Sequence, residues 1–313
     1  MRILVYGAGV QGCELAHRLL QNKKNVVTML ARGEWKERLD QRGLVIRHWA
    51  QCRTTVDRVA TIDTLAPDDC YDLVFVTMQA GQLPDVLPIL KQNRSEYFVF
   101  VGNDPHAVEV MQAMQRPVDK IAFGFQNNAG RREHDRLVSV HMGMGMTVGG
   151  ATAPLSGAFR LRLQAAFEGT HYKLTYYSDM DEWLKSHIAF ILPCAYACYA
   201  VDGELSRTTV EQRRMIVDAA WECCEMLKAA GVPVNDAENT DRYREGTKQR
   251  KKTEQMVYWM AQTVVGKWCI SDHAMRAVSE MQYLDEAFAA LRATTLVEMT
   301  AWDELRRSLP RKK

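Results

Sequence analysis

Gly7, Gly9 and Gly12 fall within the first dozen residues, in the run RILVYGAGVQGCELAHRLL. Glycines at G-x-G-x-x-G spacing acquire a chemical meaning when a strand leads into the first and a helix opens at the last, and here RILVY and ELAHRLL supply both. In that context Gly7 permits a tight turn. Gly9 lets the backbone approach a pyrophosphate, whose charge meets the free N–H groups and positive end of the helix, and Gly12 lets that helix lie close to the strand. Ala8, Val10 and Gln11 complete the loop, so residues 7–12 form an expected dinucleotide-binding turn.

A dinucleotide site distinguishes its two cofactors at the end of the second strand. An acid there accepts hydrogen bonds from the ribose hydroxyls and repels a 2′-phosphate. This chain reads NVVTMLARGEWKERL and places Arg32 at that point, twenty residues after Gly12. Arginine offers a planar fork of donors matched to phosphate, and Lys36 follows one turn later. NADP(H) is therefore expected over NAD(H), with Glu34 as the nearest acid.

The elements that must position these groups follow from periodicity. Short apolar runs at 2–6, 25–30, 71–78, 97–102 and 120–125 alternate with helical or polar segments, which predicts βαβ units and a parallel sheet. The runs 137–150 and 172–177 read as extra strands closing that domain. In HMGMGMTVGG, methionines alternating with small residues suit a strand better than a metal site. After Tyr177 the pattern is helical almost to the end. One helix is delimited by a Thr208 or Thr209 cap, Glu211 in its first turn, and Gly231 with Pro233 beyond its end. The expected organisation is an α/β Rossmann-type domain over residues 1–177 and an all-α domain over 178–313.

Composition excludes several function classes. The 313-residue chain has 47% hydrophobic residues and a formal net charge of +2, with basic residues gathered only near Arg244–Lys252 and at the terminal RRSLPRKK, so no nucleic-acid footprint is expected. No apolar stretch has the length of a membrane span, and the N-terminal run enters a glycine loop within six residues instead of a signal-peptide core, which leads us to expect a cytoplasmic protein. Eight cysteines without a CxxC pair read as reduced, mostly buried thiols, with neither a disulfide framework nor a zinc knuckle. His187 and His273 lack ligand spacing, and REGTKQRKKTEQ reads as a solvated helical face. No metal site is expected.

With these residues in view, the string VVTMLARGEWKERLDQRGLVIR, between GAGVQG and YDLVFVTMQAGQL, resembles the N-terminal half of the ketopantoate reductase (2-dehydropantoate 2-reductase) family. The resemblance continues through FVFVGND, EWLKSHIAF and SDHAMRAVSEMQYLDE. It implies a Rossmann domain paired with a helical domain that serves substrate binding and dimerisation, NADPH as cofactor, and reduction of a 2-oxo acid in the cleft between. It also implies a homodimer and a place in pantothenate biosynthesis.

The same resemblance suggests which side chains act. The family's catalytic lysine, in a W-x-K context, matches Lys185, and its late substrate-binding glutamate matches Glu280, eight residues after Asp272. The asparagine of its strand-end NG motif matches Asn103, with Asp104 in place of the glycine, and its lysine after the fourth strand is Gln79. The family's two asparagines beyond the catalytic lysine fall on Ala189 and Pro193, and a serine falls on Trp268, which implies a rebuilt substrate pocket. On a helix, residues 185, 189 and 192 share one face, apolar apart from Lys185. An ammonium there can polarise a carbonyl and then donate a proton to the oxygen that gains charge when hydride arrives. The alternative is a dinucleotide-binding sensor or regulatory protein without catalysis, motivated by the lost polar groups.

Overall fold

Ile3, Leu4, Val5 and Tyr6 are all buried, because the strand they form has covered faces on both sides. This computed structural model describes residues 1–141, 143–234 and 240–312. The chain divides into two compact units, Met1–Asp181 and Glu182–Lys313.

In the first unit β1 (Arg2–Tyr6) leads into α1 (Val10–Gln21), β2 (Val26–Leu30) and α2 (Gly33–Arg42). The hairpin β3 (Leu44–His48) and β4 (Arg53–Asp57) precedes β5 (Ala60–Ile62) and β6 (Leu73–Val76). Next come α3 (Leu83–Gln92), β7 (Phe98–Val101), α4 (Ala107–Met114), β8 (Ile121–Gln126), β9 (Ala129–Arg132) and β10 (Leu137–Val140). The unit ends with β11 (Gly145–Gly149), α5 (Gly157–Ala166) and β12 (Lys173–Tyr176).

Eight strands form one sheet in the order β12-β11-β8-β7-β6-β1-β2-β5. From β5 to β8 every pairing is parallel, while β11 runs antiparallel to β8. The strand order reverses at the β1–β6 pair, where Tyr6 stands beside Val76 and, on the other flank, Leu30. Open α/β sheets bind ligands outside the carboxyl ends of strands at such a switch point. Leu15, Leu19 and Ala16 of α1 are fully buried in the core against this sheet, and each large side chain so buried contributes about 1.5–3 kcal/mol.

A second sheet, β4-β3-β10-β9, was not foreseen. The expected strand over 137–150 divides: β10 joins β3 in this second sheet, while β11 closes the main one. Met142 in that stretch lies outside the described residues. Glycine explains part of the division, since a Cβ on Gly145 would lie 2.6 Å from the Lys173 carbonyl oxygen and one on Gly130 would lie 2.2 Å from that of Val138.

The second unit is helical. Its long helix α6 (Met180–Ala200) begins just before the division, and α7 (Val210–Ala229) carries the expected cap. Thr209 Oγ1 accepts from the Gln212 backbone N–H at 3.1 Å, and the Gln212 side chain returns the bond to the Thr209 N–H at 2.9 Å. Gly231, at φ +83°, follows the helix end. After α8 (Lys248–Gln262) the chain passes through α9 (Val264–Gly266), a π-helical turn at Lys267–Ser271 and α10 (Asp272–Arg276). It then forms α11 (Val278–Arg292) and α12 (Thr300–Arg306). Buried Asp285 unites three of these helices: Tyr196 donates to it at 2.6 Å and Arg306 grips both of its oxygens at 2.6 and 2.8 Å. Among the described residues no helix is long and apolar enough to cross a membrane.

Candidate active site

Four loops leave the carboxyl ends of β1, β2, β6 and β7, and they carry the residues expected to hold a cofactor. The turn after β1 contains the three glycines. Gly7 adopts φ +117°, and Gly9 is the N-cap of α1, with an extended backbone and no side-chain cap. No acidic residue occupies the first turn of α1, so its positive end faces no competing carboxylate from its own helix. A Cβ on Gly9 would meet nothing within 4 Å, which leaves open space beside the first N–H groups of the helix. These features fit a pyrophosphate. Ala8 is buried and Val10 partly so. The Gln11 side chain is used inside the protein: it donates to the Asn128 carbonyl at 3.1 Å, while Gln126 donates to its Oε1 at 2.9 Å.

Arg32 is the N-cap residue of α2, just past β2. It is exposed, and its Nε donates to the Asp63 carbonyl at 3.3 Å. Its charge also opposes the upward push that burial gives the Tyr6 phenol. Lys36 pairs with Asp40 at 2.7 Å, one turn on, and this hydrogen bond holds its pKa above the usual value. Arg32, held by one long backbone contact and beside the Tyr6 phenol, is less tied than Lys36 and the better placed of the two to turn toward a phosphate.

After β6, Gln79 caps the short turn Ala80–Gln82, where its backbone N–H donates to Gln82 Oε1 at 3.3 Å. After β7, Gly102 adopts φ +149° and delivers Asn103, which is 8% exposed. Met78, Leu83, Phe100, Asn103 and Asp104 line a small crevice at these strand ends.

Asp104 escaped the reading of the sequence, where it registered only as a departure from an NG motif. Its Oδ1 accepts the His106 backbone N–H at 2.9 Å, whereas its buried Oδ2 has no hydrogen-bond partner among the described residues. Burial raises its pKa from 3.8 to about 6, with His106 opposing the shift and the Asp181 charge adding to it. The native state therefore binds this proton more tightly than the unfolded chain does, and stability declines as pH rises from about 4 to about 6. Asp104→Asn is expected to be more stable than wild type by about 3 kcal/mol at pH 7 and to lose that advantage near pH 4. Urea unfolding across this range checks the result, and a pH-independent difference would refute it.

In the second unit, Lys185 lies on α6 and is 8% exposed. Ala189 and Leu192, one and two turns along the same face, are fully buried, as the helical spacing requires. Glu182 and Ser186 are also buried on this helix, and the Ser186 hydroxyl donates to Glu182 at 3.0 Å. Glu280, 7% exposed, lies in the first turn of α11. His273 Nε2 of α10 stands 3.7 Å from Glu280 Oε2, a pairing that sequence spacing did not suggest. His187 stacks on Trp183 with ring centroids 5.2 Å apart. Desolvation first, and then the charges of Arg242 and His273, hold His187 down near 3 and keep it neutral at ordinary pH. The unit thus gathers His187, Arg242, His273 and Glu280 into one electrostatic neighbourhood. Trp268, in the π-helical turn, is buried.

Residues 3–153 match the model of the family described as ketopantoate reductase PanE/ApbA. No curated protein matches the chain. Among solved structures, D-mandelate dehydrogenase with NADH and anilino(oxo)acetate is similar at a TM-score of 0.77 and 13% identity, over 99% of this chain and 97% of that one. The 2-dehydropantoate 2-reductase of Geobacter metallireducens GS-15 gives a TM-score of 0.75 at 14% identity, covering 99% of both chains. That of Porphyromonas gingivalis W83 gives 0.70 at 15%, again over 99% of both. The N-terminal match and the shared two-part fold agree: residues 3–153 fit the ketopantoate reductase family model, and the whole chain has the fold of these structures, a Rossmann-type α/β unit followed by a helical unit.

Proposed function

We propose that the protein is an NADPH-dependent reductase of a 2-oxo acid or a related small carbonyl compound. The observation that carries this reading is the convergence of the Gly7–Gly12 turn, Arg32, Gln79 and Asn103 on the carboxyl ends of four neighbouring parallel strands. The backbone of the glycine turn and the N-terminus of α1 bind the pyrophosphate, Arg32 grips the 2′-phosphate, and Asn103 orients the nicotinamide or the substrate. NADPH, when bound, supplies the hydride. Lys185 polarises the substrate carbonyl and gives its proton to the oxygen as hydride reaches carbon, so that a 2-oxo acid becomes a 2-hydroxy acid. Glu280 anchors a substrate hydroxyl or ammonium group, with His273 beside it.

Screening 2-oxo acids for NADPH oxidation by the purified chain tests the proposal, and complementation of a pantothenate auxotroph tests ketopantoate itself. Efficient turnover of one compound supports the enzyme. NADPH binding without turnover of any would favour a sensor instead. Cofactor choice has its own test: Arg32→Glu removes the phosphate fork and adds an acceptor for ribose hydroxyls. The ratio of kcat/KM for NADPH to that for NADH is expected to fall about 100-fold, as the loss of a charge-assisted hydrogen-bond pair implies. An unchanged ratio would remove Arg32 from the site.

A further inference from the structure

The side of α1 that carries Glu14, His17 and Arg18 holds a buried polar cluster that hydride transfer does not use. Glu14 is fully buried, His48 of β3 is 1% exposed and His17 4%. One ligand atom from each of these three lies within 4.8 Å of the other two. Glu14 Oε1 is taken by Arg18, whose Nε donates at 2.8 Å, but Glu14 Oε2 and His48 Nδ1 face each other at 3.8 Å with no hydrogen-bond partner among the described residues. Two unsatisfied groups at such depth are costly unless something between them is shared.

We propose that Glu14, His17 and His48 form a binding site for a first-row divalent metal ion of the zinc class, which pins the nucleotide-binding helix α1 to the second sheet. The surrounding bonds prepare each ligand. Asp57 Oδ2 lies 2.6 Å from His17 Nδ1 and must accept its proton, which leaves the lone pair of this imidazole on Nε2, where Gln21 donates at 3.1 Å. A carboxylate on the second nitrogen is the arrangement that orients metal-bound histidines. Thr55 Oγ1 lies 2.9 Å from His48 Nε2 and can accept its proton, which puts the His48 lone pair on Nδ1, toward Glu14. His141 lies beside these three residues, with Arg18 Nη2 3.0 Å from its Nε2, and a metal on His17 Nε2 requires Gln21 to release that nitrogen.

Two imidazoles and one carboxylate suit zinc, with a fourth position for water. Ligand atoms about 2.1 Å from a tetrahedral zinc ion lie about 3.4 Å apart, so the three groups need to close by on the order of 1 Å. No motif spacing betrays the site, since its ligands come from a helix and from a strand thirty-one residues further along the chain.

The test uses the full chain stripped with a chelator and titrated with ZnCl2, and with CoCl2 for its visible absorption. Wild type is expected to retain one equivalent of zinc after gel filtration, to give the intense d–d bands of tetrahedral cobalt, and to melt at a higher temperature with zinc than without. His48→Ala and Glu14→Gln should lose all three responses. Asp57→Asn, which keeps every ligand, should weaken zinc affinity about 10–100-fold. His134→Ala, at an exposed histidine, should bind as wild type does. A wild-type chain that retains no zinc and shows no cobalt bands overturns the proposal, as does equal binding by the wild-type, His48→Ala and Glu14→Gln chains. Circular dichroism of the variants separates lost binding from lost fold, and the wild-type cobalt spectrum decides the matter without any variant.

Discussion

Replacing Lys185 by alanine is expected to lower kcat about 10³-fold while NADPH binds within about twofold of wild type, because in the proposed reaction the residue acts on the developing alkoxide and not on the cofactor. The side chain is 8% exposed on α6, beside fully buried Ala189 and Leu192. Its charge therefore works where water screens little, and its loss is felt more strongly than that of a surface lysine. Lys185→Arg separates the two roles. A guanidinium keeps the positive charge but does not release a proton near neutrality, so this variant should recover part of the carbonyl polarisation and none of the proton transfer. Rates in the order wild type, Arg, Ala are expected, with melting temperatures recorded because removal of the lysine stem also removes packing. A kcat for Lys185→Ala equal to that of wild type would take the residue out of the reaction.

Most of the first unit could be read along the chain because its strands are covered on both faces. A strand such as LVFV at Leu73–Val76 has to be apolar throughout, and its runs contrast with the polar loops around them. The second sheet is different in kind. β4 reads RTTVD, exposed or half-exposed at every position, and β9 reads AGRR, so neither carries a hydrophobic period. Their stability comes from pairing, with β4 against β3 and β9 against β10, and such partners are not encoded locally. In the helical unit a cap at Thr208 or Thr209 was legible because capping is local; the structure places it at Thr209, where Gln212 completes a capping box that the sequence reading had not named.

The site was legible to the extent that its chemistry is local. The glycine turn declares itself within six residues, and Arg32 stands at a fixed distance from it. Asp104 was seen only as a substitution, since its raised pKa arises from burial at a strand end and from a second carboxylate, Asp181, far along the chain. The pairing of His273 with Glu280 depends on a break at Ala277 between the short helix α10 and the longer α11. Sequence spacing alone had set His273 aside.

The three glycines of the first loop are expected to separate cleanly into those that shape the fold and the one that serves the ligand. A Cβ on Gly12 would stand 2.0 Å from the Gly7 carbonyl oxygen and 2.6 Å from Thr77 Oγ1. The first of these is backbone, which cannot rotate away, so Gly12→Ala must displace α1 from β1 at a cost of about 3 kcal/mol or more. Gly9 lies in an extended conformation at φ −78°, and its Cβ would meet nothing within 4 Å. Gly9→Val should therefore fold with a melting temperature close to that of wild type. Its branched side chain would fill the space where a pyrophosphate approaches the helix N-terminus, displacing hydrogen bonds to charged oxygen worth about 1.5–3 kcal/mol each. Affinity for NADPH is then expected to fall at least 100-fold in a protein of unchanged stability, whereas Gly12→Ala loses stability first and binding only as a result. Thermal melts paired with fluorescence titration of NADPH distinguish the two. Wild-type affinity in a well-folded Gly9→Val chain would mean that no dinucleotide phosphate lies against this turn, whatever the family resemblance implies.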